Sequence, residues 1–358
     1  MTFASRLLLF YLLLTGPVPV QAAAPSPMPE GDSACRTAPP VQIPFAPKPK
    51  SELLEQILKM DEPDMQMRGR LVIHALAPVQ VELRLEYFQG DPQRIAALIA
   101  LWTRSPALKD VRLPIHDLRL EGVVARLAGK SIEVQADKVI PPEGTLHNLN
   151  LRRTGDNRWE LTVAEGNLQK IPEGIPDLPP LHDVRFSGLH ATGSPQCPGR
   201  VQISSLAVEG IEARDATLEV LNITPGQEAW HGWLAQVTAP PLPGGPSILP
   251  DSLPFLVQET RGILRQLAQF AGLTPLPATE PLVIDHLVVQ AARQGQQVNV
   301  THLYLNTAGL QTQGRARLQP KPPTWILEPD LLLTNLQSPQ KSMPKNFKKR
   351  LVLGQHRQ

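Results

Sequence analysis

Alternation of apolar and polar residues constrains this chain more than any other feature. Within Glu280–Leu318, Ile284, Leu287 and Val289 alternate imperfectly with Asp285, His286 and Gln290. In the next segment Val298, Val300, Leu303 and Leu305 fall close to every second position, with a slip at Thr301-His302 that reads as a bulge. A turn at Ala308-Gly309 separates Gln297–Asn306 from Leu310–Leu318. A period of two with polar residues between means one apolar and one wet face, the pattern of an antiparallel sheet covered on one side.

The same period recurs upstream. Val79, Val81, Leu83, Leu85 and Tyr87 alternate strictly with Gln80, Glu82, Arg84 and Glu86, inside strand material at Met67–Phe88. Further strands are expected at Ser131–Ala136, Trp159–Val163, Val201–Val208 and Ala216–Leu221. One opening repeats: Ile115–Gly122 (IHDLRLEG) and Leu181–Gly188 (LHDVRFSG) share His, Asp, Arg and Gly, and Leu146–Leu151 and Ile284–Val289 are looser copies. The copies have no fixed period, so they read as a repeated strand opening and not as a solenoid.

Three segments carry helical patterns instead. Ser51–Met60 has a serine N-cap and an apolar stripe of Leu53, Leu54, Ile57 and Leu58; Asp91–Arg104 has an aspartate cap and Pro92 in the first turn; Leu253–Ala271 ends at Gly272. The fold class expected is therefore mainly β (α+β), many short antiparallel strands with about three helices. The 39 prolines punctuate it, stopping strand pairing where they fall.

The organisation expected is a signal peptide over 1–22, a proline-rich linker over 23–50 and a helix/strand/helix segment over 51–110. A β-rich region over 111–238, a proline-rich break over 239–254, a helix plus closing sheet over 255–340 and a basic tail over 341–358 complete it. Arg6, the apolar run Leu7–Leu14 and the small-residue site Val20-Gln21-Ala22 have the form of a cleavable secretory signal. An uncleaved anchor is the other reading. Export puts Cys35 and Cys197 in an oxidising compartment, where a bridge between them and two separate thiols both remain open. The tail has six basic groups and no acid; it reads either as a disordered solubilising tail or as a contact for anionic lipid head groups.

Chemistry is harder to find. His116-Asp117 and His182-Asp183 are acid–base residues by type, but neighbours on a strand point to opposite faces and cannot cooperate within a pair. No nucleophile elbow, phosphate loop, dinucleotide fingerprint, CxxC or HExxH is present. Trp230 and Trp233 suit packing, or stacking on a sugar or lipid interface. Asn222 and Asn299 open glycosylation sequons. No catalytic or metal-binding set and no cofactor is expected.

The opening at Ile284-Asp285-His286-Leu287, the segment Gly309–Leu318 (GLQTQGRARL) and Asp330–Leu336 (DLLLTNL) together resemble the C-terminal repeats of AsmA-like proteins of the Gram-negative envelope. The likeness extends loosely over residues 110–336; the N-terminal signal departs from that family's membrane anchor. The resemblance implies an elongated, twisted antiparallel sheet curled into an open groove, and a periplasmic protein that binds or helps to transport lipid without catalysis. Val79, Val81, Leu83, Leu85, Val298, Val300, Leu303 and Leu305 would line such a groove. The expected partners are a lipid or other apolar ligand, other envelope proteins and, through the tail, a membrane surface; nucleic acid is not among them. An envelope scaffold that binds another protein is the alternative.

Overall fold

The computed structural model describes residues 54–76, 79–91, 117–171, 181–194, 199–222, 229–240, 261–262, 264–265, 268–269, 280–295, 297–307, 310–321, 324–335, 341–342 and 349–351. The protein is mainly β, and every strand pairing described below is antiparallel. Two compact units divide it: Met1–Asn167 with Leu189–Pro198, and Leu168–Gly188 with Gly199–Gln358. The boundaries fall inside strands β7 (Trp159–Ile171) and β8 (Leu181–Gly193).

In the first unit, β1 (Leu54–Glu62), β2 (Met65–Leu76), β3 (Val79–Gly90), β4 (Leu118–Ala128), β5 (Ser131–Ile140) and β6 (Gly144–Arg153) pair in sequence order. Their alternation sends one set of side chains into a core of Leu58, Met65, Met67, Leu71, Ile73, Val81, Leu83, Leu85, Phe88, Val123 and Ala136.

The expected helix at Ser51–Met60 is strand β1 over its described part. A ten-residue helix is marginal in water, whereas β1 pairs with β2 over nine consecutive residues without a register shift. Leu58 is buried, but Leu54 and Ile57 stand exposed.

The strict alternation of Val79–Tyr87 also breaks. Arg68 pairs with Tyr87 and Gly69 with Leu85, which leaves Glu86 as an extra residue. This bulge changes the parity, so Phe88 enters the core and Tyr87 goes to the opposite face, where the Arg119 guanidinium lies 5.2 Å from its ring centre. Gly69 is required at the bulge because a Cβ there would collide with the Arg84 carbonyl oxygen.

The second unit pairs β9 (Gly199–Val208), β10 (Ile211–Asn222), β11 (Ala229–Ala239), β12 (Leu282–Gln294), β13 (Gln297–Thr307), β14 (Leu310–Lys321) and β15 (Thr324–Asn335) in order. Strand β11, which holds both tryptophans, was not among the expected strands. Two short strands, β16 (Lys341–Ser342) and β17 (Lys349–Leu351), pair with β15, so these parts of the basic tail are ordered by the sheet.

Of the expected helix Leu253–Ala271, the described residues 261–262, 264–265 and 268–269 are helical. Arg261 fastens this segment: its guanidinium donates to the carbonyls of Glu280 (2.8 Å), Ala239 (3.2 Å) and Pro240 (3.1 Å), where β11 ends and β12 begins. The expected helix over residues 92–104, together with Cys35, Cys197, His116 and the signal segment, lies outside the described residues. Among the described residues no helix is long and apolar enough to cross a membrane.

Candidate functional site

The repeated opening proves to be a backbone device. Asp117 and Asp183 have φ of 55° and 49°, and Gly122 and Gly188, five residues on, have 61° and 62°. Asn148, the equivalent of Asp117 in the looser copy Leu146–Leu151, has φ of 51°. Aspartate and asparagine tolerate this left-handed conformation better than other residues with a side chain. A Cβ at Gly122 would strike the Asp137 carboxylate, and one at Gly188 would strike Ser204 Oγ. Shape thus accounts for the shared Asp and Gly. No group of three or more His, Cys, Asp or Glu able to hold a metal occurs among the described residues.

Cross-strand pairing assembles the apolar face of the second unit. Thr301 is the extra residue at the expected slip: Gln290 pairs with His302 and Ala291 with Val300. Were Thr301 paired in a regular ladder, the two halves of β13 would present opposite faces. With Thr301 bulged out, Val298, Val300, Leu303 and Leu305 lie on one side. Three rows result: Leu234, Leu287, Leu305 and Thr312; Gly232, Val289, Leu303 and Gly314; Trp230, Ala291, Val300 and Ala316.

One end of this face is closed. Leu282, Ile284, Ala239 and Leu305 are buried there, with Leu264 of the helical segment packed against them. Away from that end Trp230, Leu287, Val289, Val298, Val300 and Leu303 are only half-buried. The middle row has glycine at both ends, which leaves its Val289 and Leu303 without bulky flanks.

The expected groove residues therefore separate. Val81, Leu83 and Leu85 are 2–4% exposed and packed into the first unit's own core, so they present no surface to a ligand. The side chain of Val79 lies outside the described residues. Val298, Val300 and Leu303 are half-buried, and Leu305 is buried beside them.

The faces opposite these apolar ones carry polar rows. In the first unit Glu82, Arg126, Glu133 and Arg152 are successive cross-strand partners on β3 to β6. Arg126 Nε lies 3.0 Å from Glu82 and its Nη1 3.2 Å from Glu133; Arg152 Nε lies 2.8 Å from Glu133, and Arg84 pairs with Glu82. Burial pushes both carboxyls up, but hydrogen bonds from Arg84 and Arg126 on Glu82, and from Arg152 and Arg126 on Glu133, hold them below the usual carboxylate range.

In the second unit the corresponding row is Arg200, Glu219, His231, Gln290 and His302. Glu219 is buried, 3.8 Å from Arg200 Nε and 3.6 Å from His231 Nδ1, and Arg200 lies over the Trp233 ring. Strand geometry puts Trp230 and Trp233 on opposite faces, so they do not form a joint stacking platform. Opposite charges placed directly across strands fix register and keep these faces wet.

Compared with known proteins, the chain matches no family model, no curated protein and no solved structure. Its fold defines it as a mainly β protein of antiparallel sheet.

Proposed function

We propose that this is an exported, non-catalytic, AsmA-like envelope protein that holds the acyl chain of a lipid on the half-open apolar face of β11 to β14. The observation that carries this reading is the continuity of that face. The bulge at Thr301 keeps Val298 and Val300 in line with Leu303 and Leu305, and the rows beside them stay half-exposed while the first unit's apolar face is filled. Apolar burial at roughly 25 cal/mol per Å2 makes such a face a sufficient acyl-chain site without polar chemistry. The closed end under Leu264 gives the chain a terminus to abut. Export to the periplasm, and contact of the basic tail with anionic head groups, belong to the same reading.

The test is mass spectrometry of organic extracts from protein purified without detergent. Stoichiometric lipid that is lost in Val300→Asp, with the protein still folded by circular dichroism, is the expected result. A clean extract from folded wild-type protein would refute it. The filled core around Val81, Leu83 and Leu85 favours an envelope scaffold as the second reading, at least for the first unit.

A further inference from the structure

Strand β1 pairs with β2 on one side, and no second partner strand is found for it among the described residues. An antiparallel strand directs the N–H and C=O groups of alternate residues to each side, so about half of its nine residues turn theirs away from β2. Edge strands are usually blunted by proline or by charge. Strand β1 has no proline; its charges are Glu55, Lys59, Asp61 and Glu62, and between the first two it places Ile57 at 81% exposure, with Leu54 at 53%.

Its sequence is self-complementary. When β1 lies antiparallel to a second β1 with Ile57 opposite Ile57, Glu55 of each strand faces Lys59 of the other. Leu54 then faces Met60, and Gln56 faces Leu58. Opposite charges meet at Glu55/Lys59 and apolar pairs at Leu54/Met60 and on the axis, while Gln56/Leu58 sets an uncharged amide against an apolar side chain; no like charges oppose each other in the overlap. Cross-strand partners share a face, so the residues also sort correctly. Leu54, Leu58 and Met60 belong to the side of the first unit's core, against which Met60 already packs, while Glu55, Ile57 and Lys59 belong to the wet side.

We propose that β1 is a docking edge for a second copy of this chain, extending the first unit's sheet across a two-fold axis at Ile57. An isologous contact of this kind closes after two copies and does not propagate into a fibre. The proposal is independent of the lipid reading, because it uses only the first unit's edge.

The test is analytical ultracentrifugation of the full chain with cysteine crosslinking. The wild type is expected to form dimers, and Ile57→Lys to weaken self-association by about tenfold or more, since it sets like charges opposite each other on the axis. Ile57→Lys should leave the melt of the monomer unchanged, because the side chain it replaces is exposed. Lys59→Glu places like charges at both outer pairs and should also weaken the dimer, and adding Glu55→Lys should restore it.

Ile57→Cys is expected to give a disulfide-linked dimer, as directly opposed residues lie within disulfide reach. Leu54→Cys, opposite Met60, should not link to itself. A wild type that stays monomeric, or a dimer indifferent to Ile57→Lys and to the charge swap, would overturn the proposal. So would another protein, or residues 23–53 of the same chain, found covering β1.

Discussion

Glu133 shows how a polar face of the sheet is held. It accepts from Arg126, Arg152 and Gln135, and only 8% of the residue remains exposed. Its folded pKa lies below that of a free carboxylate, as does that of Glu82. The stability they contribute is therefore complete above the unfolded pKa, about 4.3, and is lost as pH falls from there through the folded values. Denaturant unfolding followed from about pH 6 to pH 3 should show a falling free energy, and Glu133→Gln should flatten the slope. At neutral pH that variant should cost about 1–3 kcal/mol, because Arg126 and Arg152 lose a charged acceptor. A wild-type profile flat across the acid range would contradict the assignment. Gly122 and Gly188 make a second test at the same scale. Alanine at either position meets both an unfavourable positive φ and a collision with the facing strand's side chain. Each substitution should cost about 1–3 kcal/mol by thermal or chemical melt; a neutral result would mean that the repeated opening does not depend on glycine.

Among the elements, β13 carries the clearest consequence. A bulge at a single residue, Thr301, keeps its two halves on one face. Deleting Thr301 leaves Val298, Val300, Leu303 and Leu305 in strict alternation, so the same face and the same register against β12 should be kept with a regular ladder. Hydrogen exchange should then show β13 and β14 protected as in the wild type, with β3 to β5 unchanged. Lost protection in β13 and β14 would show that the bulge itself is needed. The Arg261 clamp acts on the β11–β12 connection. Arg261→Ala removes donors from three carbonyls at that junction, so the helical segment around Leu264 should exchange faster and Leu282 and Ile284 should lose part of their cover. In the first unit, the sequence of β1 predicts a helix because its leucines and isoleucine satisfy a helical stripe as readily as a strand with an exposed edge. Length and composition do not separate the two.

For the whole molecule, pairing through β1 predicts a melting temperature that rises with protein concentration, and a flat response in Ile57→Lys, because association stabilises only the folded form. Calorimetry at several concentrations checks this, and a wild-type midpoint independent of concentration would count against dimerisation. The sequence by itself determined that the protein is mainly β and antiparallel, where most strands run, that β13 contains a slip, and that Val298, Val300, Leu303 and Leu305 belong together. These properties follow from residue-by-residue alternation and from turn chemistry, which are local. Only the tertiary structure decided that Val81, Leu83 and Leu85 are filled core while their counterparts in the second unit stay half-open. It alone showed that Tyr87 leaves the apolar face, that the shared Asp and Gly serve backbone shape, and that opposite charges run in rows across strands. Each of these depends on which strand lies beside which and in what register, and a one-residue bulge is enough to exchange the faces.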